Sequence, residues 1–303
     1  MAYLFPLLAV LIWAINAIVN KLSAGAIDPA AISFYRWALA ILIMTPFILP
    51  GVIRGRKSIY PYWWKLLILG FLGMALYQSL AYYAAYTISA LTIGIFVSLI
   101  PLLTVLLSIL ILKTPPTLGV ILGGLLSFSG LVWLISGGNP AGLLSIGVGK
   151  GELMMLTAAT AYALYGVLTK RWSIPLSNWQ SVYIQSFFGM MLLLPDFLMT
   201  DDISLNAHNI PLVLYAGIPA SVIAPFVWVQ GVMKLGASKA ALFMNLTPLI
   251  TAIIAIIFLH EPLHSYHIVG GTISLIGVIL AQRLHIPLGK SKPKVSIVEV
   301  ERK

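Results

Sequence analysis

The residues of this chain that could do chemistry are mainly neutral hydrogen-bonding groups set inside apolar runs. Asn16 and Asn20 lie four apart, as do Gln78 and Tyr82, so each pair shares one helix face. Gln180, Tyr183, Gln185, Gln230 and Asn245 occupy later runs, and Trp13, Tyr77, Tyr162, Tyr165 and Trp228 supply aromatic rings. Amides and hydroxyls can replace water at a ligand's polar ends while rings accept its apolar part, which is binding chemistry for a small amphipathic molecule. The competing use of such polar groups is interhelical bonding, worth about 0.6–2 kcal/mol in a membrane. Trp also fills interfacial belts, the role assigned to Trp63 and Trp64. Bond-making chemistry is not indicated. There is no cysteine, no H-E-x-x-H, no G-x-S-x-G and no G-x-x-x-x-G-K-[ST]. No catalytic residue, metal ligand or cofactor is therefore expected, and an integral membrane enzyme is the distant alternative.

Ten apolar runs must carry these residues. Of 303 residues, 60% are apolar and 9% charged, against roughly 25% charged in a soluble domain; mean hydropathy is +1.01. The pattern predicts spans at 3–22, 32–51, 64–84, 88–112, 117–136, 151–170, 178–198, 209–232, 237–259 and 265–284. At 1.5 Å per residue each covers a hydrocarbon core of about 30 Å. Pro50-Gly51, Pro115-Pro116, Gly137-Gly138-Asn139-Pro140 and Asp201-Asp202 supply breaks, and the junction at 84–88 is the faintest. The first run lacks a basic n-region and reads as a retained span rather than a cleavable signal.

The net charge of +10 follows topology rather than a nucleic-acid partner. With the N-terminus in the cytoplasm, two of the 18 Lys and Arg (Lys21 and Lys150) fall outside and Arg36 lies within a span. The other fifteen face the cytoplasm, which places both termini inside, in the cell inner (plasma) membrane. The segment 287–303 is expected to be a basic cytoplasmic tail able to touch anionic lipid.

The chain repeats itself. At an offset of 147, Ala90–Gly130 and Ala237–Gly277 agree in 14 of 41 columns, among them Pro101/Pro248, Thr104/Thr251, Pro115/Pro262, Gly123/Gly270, Gly124/Gly271, Ser127/Ser274 and Gly130/Gly277. The first spans align at an offset of 149, with Trp13 over Tyr162 and Asn16 over Tyr165. Each unit holds five spans, an odd number, so the second copy must enter the membrane from the opposite side. The fold class expected is thus all-α integral membrane: ten transmembrane helices in two inverted five-helix repeats around a central cavity, with repeat 1 at 1–145 and repeat 2 at 146–286. Inverted repeats are common in secondary transporters, whose sites lie at the repeat interface.

The stretch Phe258-Leu259-His260-Glu261-Pro262-Leu263, followed by Gly270-Gly271 and Gly277-Val278, resembles the end of an EamA domain, as do Ala237–Pro248, Ala90–Pro101 and Gly123–Gly130. That family belongs to the drug/metabolite transporter superfamily, and within it the chain looks most like YddG-type exporters of aromatic amino acids. Thr114 stands where the family often repeats the acid seen at Glu261. The resemblance implies a ten-helix exporter working by alternating access around a central cavity. The cargo it implies is a small molecule, aromatic or apolar amino acids first, with other amino acids or drug-like compounds as the alternative.

The remaining residues take roles beside that expectation. Trp13, Asn16, Asn20, Tyr77, Gln78, Tyr82, Tyr162, Tyr165, Tyr183, Trp228 and Asn245 are the candidates for substrate binding. Pro101 and Pro248, midway along spans 4 and 9, are candidate gating hinges, the alternative being static shape. Arg36, near the outer end of span 2, is expected to snorkel to the interface, the alternative being attraction of a substrate carboxylate. Glu152 suits the first turn of span 6, and Glu261 reads as a loop anchor. No Asp, Glu or His falls at the middle of a span, which favours facilitative over proton-coupled export. Gly119-x-x-x-Gly123 could pair two subunits or pack within one; a monomer is favoured, with membrane lipid and the small-molecule substrate as partners.

Overall fold

The computed structural model describes residues 2–113, 115, 117–142, 148–236, 240, 243–284 and 286. Thr114 and the tail 287–303 lie outside the described residues. Ten helical segments follow one another: α1 Leu4–Ser23, α2 Pro29–Arg54, α3 Arg56–Ala84, α4 Ala90–Leu112, α5 Leu118–Ile135, α6 Lys150–Trp172, α7 Asn178–Met199, α8 Ile210–Leu235, α9 Thr247–Leu259 and α10 Ser265–Arg283. Among the described residues nine of these are long and apolar enough to cross a membrane, and α9 is a shorter apolar helix.

Local chemistry sets the ends. Asp28 caps α2 through Ala30 N–H with Pro29 in the first turn, Ser89 caps α4 through Thr92 N–H, and Thr117 caps α5 through Val120 N–H. Ser177 and Gln180 form a capping box on α7, so Gln180 serves the helix end rather than the bundle interior. Lys21 Nζ donates to the carbonyls of Ala85 (2.8 Å) and Ile88 (3.0 Å), closing the faint turn between α3 and α4. Pro50-Gly51 does not end α2 as expected. The helix passes through Pro46 and Pro50 to Arg54, whose Nε donates to the Pro50 carbonyl at 3.2 Å.

Two helices depart from the α-helical ladder at matched places. The middle of α3, Gly70–Leu76, and that of α8, Pro219–Ile223, are π-helical. Gly70 and Gly217, Gly73 and Ala220, Met74 and Ser221 are each 147 residues apart. A proline, as in α8, or glycines, as at Gly70 and Gly73 of α3, weaken the i→i−4 pattern, and a π turn then leaves carbonyls open to other donors. Helix α4 is broken at Leu99, so Pro101 opens the helix Ile100–Leu112, where a missing N–H is harmless. Pro248 sits likewise at the start of α9, after a turn at Asn245–Leu246. The two prolines thus mark breaks rather than kinks within continuous helices.

The inversion of the repeats is visible where α5 crosses α10. A Cβ on Gly130 would meet Gly270 O at 2.6 Å, and one on Gly270 would meet Gly130 O at 2.8 Å. Gly123 faces Gly277, and Gly119 faces Leu280 and Leu284. As α5 numbers rise, α10 numbers fall, so these equivalent helices run antiparallel. Ser274 Oγ donates to Ser127 O at 3.1 Å between a repeat-related pair, which therefore lies on the pseudo-twofold axis. The Gly119-x-x-x-Gly123 motif is consumed by this packing within one chain. Lys113 (φ 54°) and His260 (φ 52°), also 147 apart, close α4 and α9 in the same left-handed conformation.

The two ends of the bundle differ in charge. The six acids among the described residues, Asp28, Glu152, Asp196, Asp201, Asp202 and Glu261, lie at the end holding the α1–α2, α3–α4, α5–α6, α7–α8 and α9–α10 connections. Glu261 ties the repeats together there: its two carboxylate oxygens accept from the backbone N–H groups of Ala90 (2.8 Å) and Leu91 (3.1 Å) at the start of α4. Arg54, Arg56, Lys57, Lys65, Lys113, Lys170, Arg171 and Lys234 lie at the opposite end.

Candidate functional site

A cavity of about 400 Å³ lies between the repeats, within the range of small-molecule sites. It is walled by α1, α2, α3, α4, α6, α7, α8 and the start of α9 with the turn before it, while α5 and α10 pack outside it. Pairs of lining residues obey the repeat: Gly73 with Ala220, Met74 with Ser221, Gln78 with Pro225, Val97 with Met244, and Ile100 with Thr247. The shell is pseudo-symmetric, and the chemistry painted on it is not.

Its aromatic walls come from repeat-related helix pairs. On α1 and α8, the rings of Trp13 and Trp228 sit 5.6 Å apart; on α3 and α6, Tyr77 lies 4.7 Å from Tyr162, which lies 5.3 Å from Tyr165. Tyr165 is packed so closely that a Cβ on Gly73 would meet its ring at 2.9 Å, so glycine at 73 makes room for the tyrosine. Aromatic pairs at such distances add about 0.5–1.5 kcal/mol beyond area burial and give stiff, apolar surfaces.

The π turns hold the polar wall in place. Trp13 Nε1 donates to Ala220 O (3.3 Å) in the α8 turn, and Trp37 Nε1 donates to Met74 O (2.8 Å) in the α3 turn. Ser221 Oγ donates to Ala216 O at 2.7 Å and accepts from Arg36 Nε, also at 2.7 Å. Neighbouring residues of α2, Arg36 and Trp37, are thus fixed by one π turn from each repeat. Gly70 and Gly189 allow α3 and α7 to approach behind them; a Cβ on Gly189 would meet Met74 Cβ at 2.6 Å.

Arg36 corrects the expectation of a snorkelling side chain. It is only 4% exposed and lines the cavity. Its Nη1 lies 3.5 Å from Asn16 Oδ1 and 3.4 Å from the Tyr82 hydroxyl, and its Cζ stands 5.3 Å from the Trp37 ring. These partners are neutral. The start of α2 at Pro29 is seven residues away, and donors matched to Ser221, Asn16 and Tyr82 keep the guanidinium turned inward. An Arg cannot shed its proton, and burying it without a counter-ion costs several kcal/mol. Such a group in a cavity presents a positive charge that an anion could neutralise.

Of the expected binding residues, Trp13, Asn16, Asn20, Tyr77, Gln78, Tyr162, Tyr165 and Trp228 all line this cavity. Three do not. Tyr82 is 1% exposed, packed beside Ile32, Phe197 and Val213, and touches the site only through Arg36. Tyr183 packs with Trp37, Met44 and Met74, its hydroxyl 2.9 Å from Thr45 Oγ1. Asn245 sits in the turn ahead of α9 with Nδ2 at 3.5 Å from Gln282 Oε1. Spacing alone had put all three on spans, and packing between helices decided which face each took. Gln185 is likewise buried outside the cavity, bonding Ser181 Oγ at 2.7 Å. Trp37, Ser221, Thr247 and Thr251, none of them a binding candidate from sequence, also line the cavity. A signal existed for Ser221, since Pro219 and Pro225 flank it in mid-span. Trp63 and Trp64 are outward, 48% and 43% exposed.

Comparison with known proteins agrees with this architecture. The profile of the EamA-like transporter family matches residues 1–136 and 149–282. An uncharacterized transporter of Bacillus subtilis strain 168, YyaM, is 27% identical over 91% of this chain and 92% of its own. An uncharacterized transporter of Archaeoglobus fulgidus is 26% identical over 92% and 96%, and protein PecM of Dickeya dadantii strain 3937 is 28% identical over 76% and 77%. A solved protein structure, 19% identical, superposes with a TM-score of 0.58 over 92% of this chain and 95% of that one, a likeness of fold. Ten apolar segments in two inverted halves, a cavity between them and a profile match across both halves give one conclusion: the chain belongs to the EamA-like transporter family.

Proposed function

We propose that this membrane transporter exports small metabolites, foremost amino acids with aromatic or apolar side chains, by facilitative alternating access. The observation that carries the reading is the make-up of the cavity: a Trp pair and a Tyr trio for an apolar side chain, beside Arg36 and the amides of Asn16, Asn20 and Gln78 for its polar end. The matched breaks at Leu99–Pro101 and before Pro248 give α4 and α9 places to pivot against the cavity. A basic end with Arg54, Arg56 and Lys57 supports a cytoplasmic position for that end in the plasma membrane, export running away from it. The GxxxG face of α5 is used within the chain, in keeping with a monomer.

The acids of the described residues stay clear of the cavity lining, which supports transport driven by the substrate's own gradient. The test is counterflow of a radiolabelled amino-acid panel in proteoliposomes, with and without a pH gradient. Phenylalanine, tyrosine, tryptophan and leucine are expected to exchange at rates that ignore the gradient. Uphill accumulation driven by the pH gradient alone would overturn the facilitative reading, and flux confined to small polar amino acids would overturn the cargo.

A further inference from the structure

Resting on the transport reading, we infer that Arg36 is the group by which the cavity recognises a cargo carboxylate, and that the site makes no matching demand for an amino group. Aromatic and branched monocarboxylates lacking the amine are then cargo on the same footing as the amino acids.

The argument starts from the hydrogen-bond inventory of the guanidinium. Its Nε is held by Ser221, and Nη1 is shared between Asn16 and Tyr82 at 3.5 and 3.4 Å. Among the described residues Nη2 has no hydrogen-bond partner, and no acid pairs with the guanidinium. The acids are placed elsewhere: Asp28 caps α2, Glu261 caps α4, Asp196 accepts from Tyr83, Glu152 opens α6, and Asp201 and Asp202 lie in the α7–α8 connection. A second unsatisfied donor belongs to the same lining. Gln78 is 3% exposed and lines the cavity, yet its Nε2 is buried without a partner. A carboxylate has two oxygens, each able to accept from such donors, and charge-assisted bonds of this kind are the strong ones.

The acceptor side is different. Asn16 Oδ1 faces Arg36, and Asn20 Oδ1 takes Asn16 Nδ2 at 3.4 Å. Ser221 Oγ accepts from Arg36 and donates to Ala216 O, while Thr251 Oγ1 donates to Ala14 O at 3.4 Å. Among the described residues Thr247 Oγ1 lines the cavity without a partner, so an ammonium entering meets neutral oxygens, one of them free, beside a fixed positive charge, and no carboxylate to pair with. A zwitterion leaves the chamber with a net charge of one; a simple carboxylate neutralises it. Arg36 is therefore a specificity-determining residue, and it selects on the cargo's negative end.

The test uses the full-length protein in lipid nanodiscs and calorimetric titration with phenylalanine, 3-phenylpropionate and phenethylamine, and in parallel leucine, 4-methylpentanoate and isoamylamine. A charged-group hydrogen bond is worth roughly 1.5–3 kcal/mol, so each amine should bind about 10- to 100-fold more weakly than its amino acid. Each deaminated acid should bind at least as tightly as its amino acid. In Arg36→Gln the order within each trio should collapse to less than threefold. Should that variant not fold, Gln78→Leu, which removes the second donor, is expected to lower carboxylate affinity several-fold with little effect on the amines. An amine binding within threefold of its amino acid in the wild type, or an amino acid binding where its deaminated acid does not, would overturn the inference. Silence of the aromatic trio alone would instead sink the aromatic cargo, with the leucine trio still deciding Arg36. Silence of both would overturn both.

Discussion

The pseudo-twofold crossing of α5 and α10 makes a prediction that can be worked from the coordinates. In Gly277→Ala the new methyl would be directed at Ser127 N, at Gly123 O (2.5 Å) and at Ser127 Cα (2.8 Å), all backbone atoms that cannot swing aside. In Gly130→Ala it would meet Gly270 O and Ser274 N, both at 2.6 Å. Real Cβ atoms do not approach so closely, so the helices must separate. Overpacking of this sort costs about 1–3 kcal/mol, offset by about 1 kcal/mol of helix propensity gained when Gly becomes Ala. The net loss against wild type is about 0–2 kcal/mol, or up to roughly 8 °C in melting temperature, and against a Gly→Ala change with no clash it is the full loss of about 1–3 kcal/mol, roughly 2–12 °C. Gly166→Ala, in α6, is the control: nothing lies within 4 Å of its new methyl, so it should melt at or slightly above wild type. The assay is thermal unfolding of the purified protein in one detergent, with binding measured on the folded fraction. Because α5 and α10 contribute no lining residue to the cavity, affinity should stay at the wild-type level. If Gly277→Ala and Gly130→Ala both melt with Gly166→Ala, the two helices are not in contact at their glycines, and the inverted packing derived from them fails.

Gln78→Ala should slow efflux about tenfold in proteoliposomes while melting near wild type; an unchanged rate would remove Gln78 from the pathway. Tyr82→Phe keeps the packing against Ile32 and Phe197 but deletes the 3.4 Å contact with Arg36, so a few-fold loss of affinity is expected, checked by titration. Tyr82→Ala, by contrast, should cost about 3–5 kcal/mol of stability, as large-to-small changes at buried rings do. Replacing Pro101 and Pro248 together by Ala restores backbone donors at both helix breaks and should lower the turnover rate more than the affinity. Wild-type turnover in that double variant would make the breaks static features of shape.

How much of this could be read from residues alone depends on the length scale of the signal. Hydrophobic runs and caps are local, and most segments fall within a few residues of the expected edges; α3 begins eight residues before the expected 64, α9 begins ten residues after the expected 237, beyond the turn at Asn245–Leu246, and α2 overran because a proline near a helix end is tolerated once its neighbours satisfy the backbone. The repeat was legible because Gly123, Ser127 and Gly130 and their mates 147 residues on are held by direct contact with one another, which restricts residue type. Which face a polar side chain takes is not local. Asn16, Gln78 and Tyr82 have the same helical spacing logic, yet packing of α2 and α7 around Tyr82 removed it from the cavity and left the other two on the wall. Arg36 shows the limit most clearly. Its distance from the helix end favours snorkelling, and what overrides this is a hydroxyl 185 residues away, presented by a π turn whose only trace in the sequence is a pair of prolines in mid-span. The matching turn in α3 carries no proline but two glycines, Gly70 and Gly73, so the repeat conserves the backbone device while changing the residues that build it. The positions that differ between the halves are where function must be sought. Symmetry supplies the shell, and Met74 against Ser221, or Gln78 against Pro225, makes its two halves chemically unlike.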